Sequence, residues 1–105
     1  SGDTATWEGD PQLKHKPKNE NGVLTLRLQE NRKFEKNEIQ KIDLKVRVKE
    51  IGINNIEVSP TDEIKKKKLI PNEGLLNTET EEYMRISLQN INEEELFLPA
   101  GTPIV

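Results

Sequence analysis

The run Ile42-Asp43-Leu44-Lys45-Val46-Arg47-Val48-Lys49 constrains the fold of this chain more than any other stretch. Apolar and charged residues alternate throughout it, so Ile42, Leu44, Val46 and Val48 point one way and Asp43, Lys45, Arg47 and Lys49 the other. A helix would scatter those four apolar groups around its axis, and two of them are β-branched valines that favour a pleated surface. The run therefore predicts one long strand with a core face and a charged, solvated face.

The same period recurs elsewhere. Val23 to Leu28 places Leu24, Leu26 and Leu28 on one side, and Tyr83 to Leu88 does the same with Met84, Ile86 and Leu88. Leu96-Phe97-Leu98 and Ile56-Glu57-Val58 read as short strands, Leu69-Ile70-Pro71 as an extended piece, and Leu75-Leu76 as a return to the core. Gln29 to Lys33 and Glu35-Lys36-Asn37-Glu38 are polar turns, with Phe34 as an anchor between them. Thr61 followed by Asp62 and Glu63 has the chemistry of a helix cap, but mutual repulsion among Lys65, Lys66, Lys67 and Lys68 favours an exposed loop. About six to eight short strands with regularly spaced turn signals predict an all-β sandwich or small barrel.

The boundaries follow from composition. Residues 1–21 hold Gly, Pro, Asn and charged groups with little periodicity, and read as a flexible N-terminal arm carrying Trp7 and Leu13. Asn21-Gly22 opens the β-sandwich domain, residues 22–105. In 105 residues, 31% are hydrophobic and 33% charged, against roughly 45–50% and about 25% in ordinary domains. So lean a core predicts either that part of the chain is disordered or that a partner subunit completes the apolar surface, and the latter is favoured. The start at Ser1-Gly2-Asp3, without Met, points to a processed piece, a tag-cleavage remnant, or a domain cut from a longer polypeptide.

Net charge is −3 and cysteine is absent, which argues against a basic nucleic-acid binder and excludes disulfides, thiolate metal sites and a cysteine nucleophile. The aromatics available to stack on bases are Trp7, Phe34, Tyr83 and Phe97. The lysine run therefore reads as a solvated loop, in keeping with the charge-footprint test. No apolar run approaches membrane-spanning length, and no secretory signal is seen. A reducing compartment or a virion fits the cysteine usage.

No residue set forms a recognisable catalytic site. His15, the single histidine, lies between Lys14 and Lys16 without a carboxylate to orient it. Glu93-Glu94-Glu95 cannot all converge, because successive residues on an extended chain face opposite ways. These features predict no cofactor and no metal. The apolar closing segment is the candidate partner contact: Leu96, Phe97, Leu98, Ile104 and Val105, ending in what reads as an open strand.

Tyr83 to Val105 resembles the C-terminal half of the dUTPase jelly-roll core, through Tyr83, Asn90, the acidic turn Glu93-Glu94-Glu95, Gly101 and Ile104-Val105. Phe34-Glu35-Lys36-Asn37-Glu38-Ile39 resembles the turn before that family's central strand, and residues 42–48 the strand itself. The resemblance, over residues 23–105, implies a small jelly-roll or β-clip-like sandwich whose last strand carries the chain into a trimer. The family's catalytic motifs are not matched. Leu75 to Glu82 stands where the family carries an Asp on a hairpin, with Glu79 or Glu81 as substitute carboxylates. The Arg-Ser-Gly-Leu phosphate motif, the early metal-holding Asp motif and the Gly-rich tail have no counterpart, and Thr102-Pro103 replaces an acidic-basic pair. The expectation is thus a non-enzymatic structural or protein-interaction domain, a homo-oligomer within a larger viral or retroelement polyprotein. The alternatives are a divergent nucleotide pyrophosphatase using Glu79 or Glu81 with Tyr83, and an Ig-type adhesion domain, whose Cys and core-Trp pattern is missing.

Overall fold

The computed structural model describes residues 4–51, 59–73 and 82–105. Nine strands and one helix form among them, in the order β1 (Thr4–Gly9), β2 (Lys18–Glu20), β3 (Val23–Thr25), β4 (Arg32–Phe34), β5 (Ile39–Asp43), β6 (Val46–Ile51), α1 (Asp62–Lys66), β7 (Leu69–Glu73), β8 (Arg85–Asn90) and β9 (Leu96–Leu98). Every ladder among them is antiparallel: β1 with β6, β2 with β3, β4 with β9, and β8 between β5 and β7. The architecture is all-β, a small sandwich of the jelly-roll kind, as expected.

The alternation in the sequence becomes the core. Ile86 and Leu88 are buried along β8, with Met84 just before it, opposite Ile42 on β5 and beside Leu69 on β7. Leu26, Leu28, Phe34, Leu44, Val46, Ile64, Leu98 and Ile104 complete the cluster. Phe34, expected as an anchor, is fully buried at the end of β4, and that strand begins inside the stretch read as a polar turn.

The long strand expected over residues 42–49 is broken in two. Lys45 takes φ +59, and its N–H donates to the Asp43 carboxylate at 2.8 Å. Leu44 N–H donates to Met84 C=O while Met84 N–H donates to Val46 C=O. Two residues thus straddle one, with Lys45 extruded as a bulge. Leu44 and Val46 both stay buried, so the alternation holds through the break. The chain is then re-aimed from the three-stranded sheet onto β1.

Helix α1 replaces the loop expected at the lysine run. Thr61 is its N-cap, accepting from Ile64 N–H at 3.3 Å, and Asp62 and Glu63 fill the first turn. Lys65 and Lys66 sit in the last turn, where the helix dipole favours cations, and Ile64 is buried. One core contact and a favourable dipole outweigh repulsion between solvated lysines. Ile56-Glu57-Val58 and Leu75-Leu76 lie outside the described residues.

Two strands form within the stretch whose composition predicts an arm. Trp7 pairs across the ladder with Val48, and Trp7 and Leu13 pack against the core. Gln29 supplies a further tie: its Oε1 accepts from Lys14 N–H and His15 N–H, while its Nε2 donates to His15 C=O and Arg27 C=O. Asn21-Gly22 forms the tip of the β2–β3 hairpin, both residues at positive φ.

Candidate interaction surface

The closing segment is paired within its own chain. Leu26 N–H donates to Val105 C=O, Ile104 N–H to Leu26 C=O, Leu28 N–H to Thr102 C=O, and Gly101 N–H to Leu28 C=O, all at 2.7–2.9 Å. On its other side Thr61 N–H donates to Ile104 C=O at 3.0 Å, and Thr61 Oγ1 donates to Pro103 C=O at 2.8 Å. Burial divides the five residues singled out from the sequence. Leu98 and Ile104 are fully buried in the core, Leu96 and Val105 pack against it half-buried, and Phe97 is 56% exposed.

Phe97 stands on the outer face of β9 opposite Lys33 of β4. Lys33 Nζ lies 3.2 Å from Glu35 and 3.5 Å from Glu95. These carboxylates, Glu35 first, hold the Lys33 ammonium above the usual lysine range. An exposed aromatic is thus flanked by a compact set of opposite charges.

A second exposed apolar group went unnoticed in the sequence. Ile39, Gln89 and Ile70 form one row across β5, β8 and β7, with Ile91 two residues beyond Gln89. All three isoleucines are exposed. Single isoleucines among polar residues carry no periodic signal, so only the register brings them together.

Beneath that row, Asn90 joins the two regions that carried the resemblance. Its Nδ2 donates to the carbonyls of Phe34, Glu35 and Glu94, and its Oδ1 accepts from Asn92 N–H at 2.9 Å. Its backbone exchanges hydrogen bonds with Asn37 and Glu38. Within the same turn Glu35 N–H donates to the Glu38 carboxylate at 2.7 Å, and Gln40 Nε2 also donates to it. Those two donors, the backbone one first, pull the Glu38 carboxyl below the ordinary range.

Of the residues proposed for chemistry, Glu79 and Glu81 lie outside the described residues. Tyr83 is half-buried, and the Arg47 guanidinium lies 4.2 Å from its ring centroid. The imidazole of His15 rests near Gly101, where φ is +90 and an added Cβ would come within 3.3 Å of Nδ1. Among the described residues no three of His, Asp and Glu are arranged to hold a metal ion. No helix among them is long and apolar enough to cross a membrane.

Among solved structures, the native dUTPase of EIAV superposes with a TM-score of 0.76, covering 96% of this chain and 82% of that one at 15% identity. The fold is that of a dUTPase. At that identity the likeness extends to the fold alone. No protein-family model matches the chain, and no curated protein matches it.

Proposed function

We propose that this chain is a non-enzymatic structural or protein-interaction domain on a dUTPase-type scaffold, acting as a homo-oligomer within a larger viral or retroelement polyprotein. The observation that carries the reading is Phe97, a large aromatic held in solvent on a short strand beside a cluster of opposite charges. Aromatic anchors with a polar rim are what protein contacts use. Phe97 carries the contact, Leu96 and Val105 contribute their uncovered edges, and Leu98 and Ile104 hold that end in place from the core. The lean composition and the likeness to an EIAV protein support the oligomeric and viral parts of the reading. Sedimentation over a wide concentration range tests it. Self-association is expected, and a monomer throughout would overturn the oligomer.

The dUTPase fold itself favours a second reading, nucleotide hydrolysis. Against it, Arg47 already occupies the face of Tyr83, and the described carboxylates do not gather. Titration with dUTP and Mg²⁺ tests it: pyrophosphate release would establish the enzyme reading, and the absence of binding heat would remove it.

A further inference from the structure

We propose that Asn21-Gly22 is a site of spontaneous deamidation, by which the β2–β3 hairpin rewrites its own turn. It is the sequence's single Asn-Gly pair. Both residues are exposed, and nothing lies within 4 Å of where a Cβ on Gly22 would stand. Among the described residues the Asn21 amide has no hydrogen-bond partner, in contrast to other asparagines. Asn90 donates to three carbonyls, Asn92 donates to Lys67 C=O and to Asn90 Oδ1, and Asn31 accepts from Ala100 N–H.

The chemistry needs only water. The Gly22 amide nitrogen attacks Asn21 Cγ, forming a C–N bond and losing its proton. The Cγ–Nδ2 bond breaks and ammonia leaves, giving a five-membered succinimide. Water then opens the ring at one carbonyl to give aspartate, or at the other to give isoaspartate. In the closed turn, φ values of +51 and +77 hold both residues in the left-handed region, the pattern of a two-residue type I′ turn. The turn must open for attack. Only three residue pairs close it, all of β2 is exposed, and a two-stranded ribbon of that size is marginal by itself.

The two products differ in consequence. Aspartate fits the same turn, since Asp-Gly serves a type I′ hairpin as Asn-Gly does. Isoaspartate adds one atom to the backbone, so a two-residue loop no longer closes with Lys18 opposite Thr25. Both leave the chain one charge more negative than −3.

The test is to incubate the folded protein at mildly alkaline pH and physiological temperature, then map peptides by mass and by isoaspartate-specific labelling. Position 21 is expected to lose its amide several-fold faster than Asn31, Asn90 or Asn92. Asn21→Asp should match the aspartate product in charge and retain the hairpin amide shifts, whereas the isoaspartyl form should lose them. An Asn21 amide that stays intact in the folded protein while converting in denaturant would overturn the proposal. So would equal conversion at the bonded asparagines.

Discussion

Asn90 is fully buried yet leaves no polar atom of its side chain unpaired, because three carbonyls and the Asn92 amide converge on it. Asn90→Ala would strand those carbonyls and should cost about 2–3 kcal/mol, since buried groups left unsatisfied carry their full desolvation penalty. Urea unfolding measures it; a loss near zero would mean that water replaces the amide at no cost. A few residues away, the Glu38 carboxylate is stabilised by the Glu35 N–H. A carboxyl whose folded pKa is depressed adds stability above its unfolded pKa, near 4.3 for glutamate, and loses it as pH falls through the folded value. Glu38→Gln should therefore lower the melting temperature at neutral pH and converge with the native chain in acid, as thermal scans across that window would record. Neither network was legible beforehand. Asn90 reads as a strand end because two of the carbonyls that it binds lie some fifty positions away in the chain, and Glu38 reads as a turn residue because the turn that aims Glu35 N–H and Gln40 Nε2 at its carboxylate is fixed by pairing with β8.

The elements themselves were largely written in the alternation. Leu26, Leu28, Ile42, Leu44, Val46, Met84, Ile86 and Leu88 are buried as their period required. What periodicity could not register was the break at Lys45, because a bulge that keeps Leu44 and Val46 on the same side leaves the pattern unchanged. Nor could it weigh one buried Ile64 against four lysines, or see that Trp7 had Val48 to pair with. The bulge is open to a direct test. A lysine in the left-handed region is strained relative to glycine there, so Lys45→Gly should stabilise the fold by about 0.5–1 kcal/mol once the added backbone entropy is discounted. The Lys45–Asp43 ion pair lost with it is long, at 3.9 Å, and partly exposed to solvent. Chemical denaturation should show a raised midpoint with an unchanged slope.

At the scale of the whole molecule, folding and the proposed assembly make separate predictions along the closing segment. Ile104 is a core residue, so Ile104→Ala should cost about 2–5 kcal/mol of folding stability. Phe97→Ser removes an exposed ring and should leave the melting curve nearly unchanged while weakening self-association. Thermal melts and sedimentation on both variants distinguish the two effects. Equal sedimentation of Phe97→Ser and the native chain would move the contact elsewhere, with the row of Ile39, Ile70 and Ile91 the next to mutate. The sequence singles out the closing segment but cannot divide it into buried and exposed residues. Which residues of Leu96, Phe97, Leu98, Ile104 and Val105 face water depends on the pairings with Arg32–Phe34 and with residues 26–28, and nothing local encodes those partners.

The side chain of Gln29 stands in for a peptide group, offering a carbonyl to two amides and an NH₂ to two carbonyls. Lys14 and His15 lie in no strand, yet their amide protons should exchange with deuterated solvent as slowly as those of a sheet. Gln29→Ala should release those two protons to fast exchange while the amides of β1 stay protected. That pattern would mark where the first twenty residues are tethered by one side chain and where by a ladder.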